Sequence, residues 1–172
     1  MRIQRDIPTK QTIDGVNKTN LRQLLKEYMN KKNIHCNCIR CNEIKSTITN
    51  PKLDILEYTA SKGKEFFISL KQGKEIIGFC RLRFPSQSLR EEITKDSAII
   101  RELHIYGVAI DLEKSGEVQH KGFGKMLLKK AEEICVKHKK DKLLVISGVG
   151  VREYYKKLDY QQDGPYVSKI LN

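Results

Sequence analysis

The sequence predicts an α/β protein: a mixed sheet built around one strand–turn–helix–strand unit, preceded by a separate helical segment. Three observations carry this reading. The stretch EFFISLKQGKEIIGFCRLRF holds two β-rich runs around KQGKE, a hairpin signal. The run SAIIRELHIYGVAI, residues 97–110, is long and rich in β-branched residues. After it, QHKGFGKMLLKKAEE, residues 119–133, sets two glycines directly ahead of an amphipathic helical pattern.

The elements are justified in order along the chain. Residues 1–17 are irregular, with Pro8 and Gly15. Asn20 is a helix-opening residue, and Leu21, Leu24, Leu25, Tyr28 and Met29 recur on one apolar face behind it. That helix ends near Asn33 and runs into a cysteine loop, 35–44. Residues 45–61, around Pro51, read as a link. The hairpin comes next, then a polar loop over 85–96, the long strand, and a loop at DLEKSGEV, 111–118. The second helix is expected at about 121–138, with Phe123, Met126, Leu127, Ala131, Ile134 and Cys135 on or near one face. KLLVIS, 142–147, reads as a buried strand. VREYYKKLDY is a short helix after Gly148 and Gly150, and YVSKIL closes the chain as a strand.

Composition narrows the function classes. The 172 residues are 39% hydrophobic and 31% charged, a globular balance. No apolar run is long enough to span a bilayer. The start, MRIQRDIPTK, lacks the apolar segment of a signal peptide, so a cytoplasmic protein with no membrane partner is expected. Lys and Arg number 33 against 21 Asp and Glu, a net charge of +12. Residues 1–52 hold 11 of the basic and 4 of the acidic side chains. Such a surplus favours polyanions, nucleic acid or a phosphorylated cofactor; a solvated lysine-rich face is the plainer alternative.

The glycine turn has a physical rationale. The first turn of a helix carries unpaired N–H donors and the positive end of the helix dipole, and phosphate binds there. Gly122 and Gly124 remove side chains that would hold a pyrophosphate off those donors, and Gln119 can add an amide. Helix entry and close packing would explain the same glycines without any ligand. The cysteines are the second candidate site. Cys36, Cys38 and Cys41 form C-x-C-x-x-C, a spacing that lets three thiolates wrap one tetrahedral zinc. The fourth ligand is open: His35, another histidine, or a group elsewhere. Cys80 and Cys135 fall in a strand and a helix and read as core.

Q-x-x-G-x-G after a long strand, opening a helix, with a strand and a tyrosine-bearing helix behind it, resembles the acyl-CoA site of the GNAT N-acetyltransferases. RELHIYG, QHKGFG, VISGVGVREYYKKLDY and DGPYVSKIL together resemble the acetyltransferase domain of the Elongator catalytic-subunit family, which modifies wobble uridines of tRNA. IQRDIP, GVNKTNLRQL and CNCIRCNEI resemble that family's linker and metal segment, so the likeness covers essentially the whole chain. It implies a GNAT fold, a mixed and mostly antiparallel sheet flanked by helices, over 53–172, and a linker helix with a structural zinc over 1–52. That family also carries a radical S-adenosylmethionine domain with an iron–sulfur cluster, and nothing in these 172 residues resembles it. The chain, whether an excised part or a naturally short relative, is therefore expected to need that domain for the complete tRNA reaction.

By the same resemblance, acetyl-CoA is held along Glu102, Leu103, His104 and Ile105, and at Gln119, Gly122, Phe123, Gly124 and Lys125. Phe123 is equally explained by packing. Tyr155 meets the departing thiolate, to which a phenol can supply a proton. Glu102 and His104 share one strand face by the two-residue period, and either is a candidate base for activating water. Arg2, Arg5, Lys10, Lys18, Arg22, Lys26, Lys31, Lys32 and Arg40 are candidates for tRNA backbone contact. The expected function is tRNA-dependent cleavage of acetyl-CoA within an Elongator-type uridine(34) enzyme. The alternatives are a stand-alone GNAT enzyme acetylating a lysine or small amine, and a non-catalytic tRNA-binding module.

Overall fold

The computed structural model describes residues 10, 14, 20–106 and 122–171. The chain falls into two compact units, Met1–Cys41 and Asn42–Asn172. The first holds α1 (Leu21–Lys31) and the loop carrying the three clustered cysteines. Asn20 stands at the helix start, as its type predicts, and among the described residues no side-chain cap bond closes the first turn. The apolar face of α1 is present in sequence, yet none of its residues is buried; Leu25 is 43% and Tyr28 59% exposed. The helix closes through Asn33 at φ +53° and an Ile34 N–H that returns to the Met29 carbonyl at 2.9 Å.

The second unit is a seven-stranded sheet in the order β1-β2-β3-β4-β5-β7-β6. Its strands are β1 (Lys52–Ala60), β2 (Gly63–Gln72), β3 (Glu75–Phe84), β4 (Ser97–Ile105), β5 (Lys142–Val145), β6 (Gln161–Asp163) and β7 (Tyr166–Ile170). All neighbours are antiparallel except β4 and β5. That one parallel pair is joined by the crossover containing α2 (Phe123–Lys137), because parallel neighbours need a long connection. A single 3₁₀ turn at Val149–Val151 leads into α3 (Arg152–Lys156). The KQGKE hairpin forms as its sequence predicts, turning at Gly73 with φ +59°.

Three readings change. Residues 52–60 are not a link: they form β1, paired along its whole length with β2. Eight of its nine residues are exposed, and its apolar positions change phase between Leu53, Ile55 and Leu56, Tyr58, so no one face stays apolar along the strand. The short β6 was not legible, being three polar residues paired only to β7. In α2 the buried residues are Phe123, Leu127, Leu128, Ala131, Ile134 and Cys135, while Met126 is 42% exposed. The buried face is rotated slightly from the one expected, towards Leu128.

The core lies between α2 and one face of the sheet. The helix buries its face on Phe66, Ile68 and Leu70 of β2, Cys80 and Leu82 of β3, and Ile100 of β4. Each fully buried Leu or Ile contributes about 2 kcal/mol by transfer from water. The opposite sheet face carries a smaller cluster of Ile93, Ile99 and Leu144, with Tyr166 against it. Glu65 is buried at 2% exposure, its Oε1 accepting from Arg83 at 2.7 Å and from Arg101 at 3.1 Å. Residues 42–50 are stitched to the hairpin tip. The Ile44 N–H donates to the Ile76 carbonyl at 3.0 Å, and the Ile76 N–H donates to the Asn42 carbonyl at 2.6 Å. The Gln72 side chain accepts from Thr49 N at 2.7 Å and Asn50 N at 3.0 Å while donating to the Thr47 carbonyl at 2.9 Å.

Candidate functional site

The site forms where β4 leaves β5. The two strands pair in parallel only from Ser97↔Lys142 to Ile100↔Val145, with one further bond from Ile146 N to the Ile100 carbonyl at 3.0 Å. β4 continues to Ile105 while β5 ends, so residues 101–105 keep β3 on one side and have no ladder partner on the other among the described residues. A bulge starts this departure. Arg81 faces Glu102 and Leu82 faces Ile100, which leaves Arg101 as the extra residue, drawn to Glu65. Bulges bend the strand and re-aim the side chains beyond them. Gly78 lets the bent half lie close on β3: a Cβ there would meet Ile105 Cδ1 at 2.5 Å and the His104 carbonyl at 2.8 Å.

The register separates the four β4 candidates onto two faces. Leu103 and Ile105 pack against the core under α2. Glu102 and His104 lie on the opposite face, beside Arg81 and Phe79. The Glu102 carboxylate sits 3.7 Å from Arg81, with 36% of its side chain exposed. The His104 ring stacks edge-on against Tyr106 at 4.5 Å.

The glycine turn is divided chemically between its two residues. Gly122 adopts φ +75°, ψ +7° at the start of α2, a left-handed conformation in which an L side chain is strained, although a Cβ would meet nothing within 4 Å. Gly124 has ordinary helical geometry, and a Cβ on it would stand 3.0 Å from the Tyr154 hydroxyl. Gly122 is thus favoured by backbone shape, while a side chain at Gly124 would press on the Tyr154 hydroxyl. No side chain caps the first turn among the described residues, and no acidic residue lies in it. Lys125 is exposed there, whereas Phe123 is 8% exposed within the core, so its backbone N–H is the part free to serve a ligand. Gln119 lies outside the described residues.

The tyrosine pair splits as well. Tyr155 is 6% exposed, packed on Tyr160 at 5.8 Å and on Tyr154 at 5.2 Å between ring centroids. Burial, with the Tyr154 and Cys80 groups beside it, pushes its hydroxyl up to about 12. Tyr154 is half-buried, its hydroxyl also raised by desolvation, and it is this oxygen that reaches Gly124. Sequence reasoning singled out Tyr155 alone. The nearness of Tyr154 to the turn depends on how α3 packs on α2, which no local pattern encodes. Past the end of β5, Ser147 Oγ and Arg152 Nε are buried without a hydrogen-bond partner among the described residues.

The cysteines of the first unit do come together. One ligand atom from each of Cys36, Cys38 and Cys41 lies within 4.8 Å of the other two. Tetrahedral zinc–thiolate bonds of about 2.3 Å put sulfurs about 3.8 Å apart, so small rotations close the set on a metal. Partial burial raises the Cys38 thiol, but bonds from the Cys41 backbone N–H, Cys36, Cys41 and Arg22 outweigh it and bring it down to about 7. Burial and its bonds to Cys38 and Cys36 push Cys41 up, the behaviour of neighbours that cannot all ionise without a cation. Arg22 Nη2 donates to Cys41 Sγ at 3.4 Å. His35 is not in this group.

The acetyltransferase (GNAT) family model matches residues 21–160. The chain belongs to the GNAT acetyltransferase family. That membership implies use of acetyl-CoA, and the splayed β4 with the uncapped start of α2 is the geometry that can hold it. The chain is also similar to particular members. It is 43% identical to a tRNA uridine(34) acetyltransferase of Methanocaldococcus infernus over 185 aligned residues, covering 99% of this chain and 35% of that one. It is 41% identical to Elongator complex protein 3 of Schizosaccharomyces pombe, over 99% of this chain and 34% of that one. Among solved structures, the M. infernus Elp3 with residues 1–46 deleted superposes with a TM-score of 0.84 at 41% identity, over 99% of this chain and 44% of that one. This GNAT chain therefore spans about a third of the length of the curated relatives it matches. No described helix is long and apolar enough to cross a membrane.

Proposed function

We propose that this chain is the acetyl-CoA-cleaving part of an Elongator-type tRNA uridine(34) enzyme, acting in the cytoplasm with tRNA and a radical S-adenosylmethionine domain as partners. One observation carries the reading. The half of β4 that has no second ladder partner among the described residues, and the first turn of α2, which no described side chain caps, belong to one β–α–β unit, in a chain whose likeness to Elongator relatives runs through 99% of its length. Two compact units, Met1–Cys41 and Asn42–Asn172, support a reading in which a linker segment and an acetyltransferase domain do separate work.

In this reading the pyrophosphate sits on the first-turn N–H groups of α2, with Gly122 setting the turn, Gly124 giving clearance, and Gln119 and Lys125 flanking it. The pantetheine arm takes the place of the missing ladder partner along residues 102–105. Water attacks the acetyl carbon, the carbon–sulfur bond breaks, and acetate and CoA leave. Glu102 or His104 receives the proton of the attacking water. The three cysteines fit a structural zinc, which supplies a cross-link within the linker segment rather than a step of the reaction. The basic residues of α1 supply charge for the tRNA backbone.

The test is release of free CoA from acetyl-CoA, with and without tRNA, for the wild type, Tyr154→Phe and Tyr155→Phe. Stimulation by tRNA, lost in one of the two variants, supports the reading and names the proton donor. Efficient acetylation of a free amine with no tRNA effect sinks it in favour of a stand-alone acetyltransferase. Binding of tRNA with no CoA release, even after the radical S-adenosylmethionine domain of a relative is added, leaves a non-catalytic module.

A further inference from the structure

The first unit poses a stability problem. α1 is 11 residues long, has no buried residue, no side-chain bond at its start and no acidic residue in its first turn. Isolated helices of this length are marginal in water. Its first turn nevertheless reaches the far end of the cysteine loop, 19 residues on, through one side chain. Arg22 Nη2 donates to Cys41 Sγ at 3.4 Å. The guanidinium is a planar fork of fixed donors. It is half-buried, in contrast with the exposed Lys26 one turn further along α1.

Charge explains why an arginine belongs here. Zinc held by three thiolates and a neutral fourth ligand carries a net charge of −1. A cation donating an N–H bond to one of the sulfurs offsets that charge where it is concentrated. Groups that bond to metal ligands in this way commonly alter metal affinity by about 10- to 100-fold. With a metal all three are thiolates, and the bond from Arg22 becomes charge-assisted in both partners.

Resting on the zinc reading above, we propose that Arg22 is a positioning residue of the metal site: it anchors the first turn of α1 to the thiolate of Cys41, so that metal loading orders the helix. Zinc binding then controls the presentation of Lys26, Lys31 and Lys32, and the linker segment is a metal-dependent basic surface rather than a permanent one.

The test uses the full chain and two readouts that do not involve catalysis. Zinc affinity is measured by competition with a chelating dye, and amide hydrogen exchange is followed across residues 21–31 with and without zinc. Four proteins are compared: wild type, Arg22→Gln, Arg22→Lys and Lys26→Gln, the last removing an equal charge from the same helix. The expected result is tighter protection of α1 in zinc-loaded wild type and in Lys26→Gln. Arg22→Gln should bind zinc about 10-fold more weakly, and its α1 protection should no longer respond to the metal. Arg22→Lys, which keeps the charge and loses the fork, should fall between. Equal zinc affinity and an equal α1 response in Arg22→Gln and wild type overturn the role of Arg22 while leaving the zinc site standing. A wild type that binds no zinc overturns the zinc reading itself, and this proposal with it.

Discussion

The two units of this chain hold themselves together by opposite means. The sheet unit buries a continuous core between α2 and β2–β5, with Leu127, Ala131, Ile68, Leu82 and Ile100 at 0% exposure. The linker unit buries nothing along its helix and relies on polar ties and three surface thiols. The cysteines show the contrast in one residue type. Cys80 and Cys135 are buried free thiols among apolar side chains, where desolvation raises them, Cys135 to about 12. Cys38 is exposed and lowered to about 7. The same side chain is packing material in one unit and a ligand candidate in the other, and the surroundings decide which.

Four measurements would break or sharpen that contrast. The largest expected effect is in the core. Leu127→Ala removes a fully buried side chain and should cost the sheet unit about 3 kcal/mol in denaturant unfolding, while Leu25→Ala on exposed α1 should cost under about 0.5 kcal/mol. Similar losses for the two would mean that α1 is covered after all. Glu65→Gln comes next. It leaves two guanidinium groups facing a neutral amide at a buried position, and a loss of about 2 kcal/mol is expected from the same unfolding curves. An unaffected midpoint would show that the arginines are solvated without it. Gly122→Ala should cost about 1 kcal/mol through its positive φ, with CoA affinity by calorimetry falling more steeply than Gly148→Ala, where a Cβ meets open space. Equal affinities would detach the turn from the cofactor. The smallest effect is a rate. In metal-free protein the Cys38 thiolate fraction rises through about pH 7, so alkylation at Cys38 should climb through that range and outrun Cys80 and Cys135, which stay protonated. Mass mapping that finds the core cysteines labelled first would contradict the contrast.

Some of the candidate site was legible in the amino-acid order alone. The glycines at 122 and 124 announced a helix start built for close approach, and Gly122 does take a conformation that favours glycine. The spacing of Cys36, Cys38 and Cys41 announced a cluster, and the three sulfurs do converge. Other parts were hidden. The periodicity puts Met126 on or near the apolar face of α2, yet it is exposed, because one residue of rotation changes which side meets the sheet. The resemblance singles out Tyr155, and only the structure shows that the Tyr154 hydroxyl reaches Gly124 as well.

The sequence by itself determined the features that short-range chemistry controls: periodicity along α2, the β-rich runs, the hairpin at Gly73, the turn at Gly122 and the thiol spacing. These depend on backbone sterics and on neighbours within a few residues. Only the tertiary structure decided that β1 would be an exposed edge, that the bulge at Arg101 would turn half of β4 away from β5, and that Arg22 would meet Cys41. Each of those depends on partners brought together from distant parts of the chain, such as Glu65 for Arg101, and the free energy of such a pairing is written in neither segment alone.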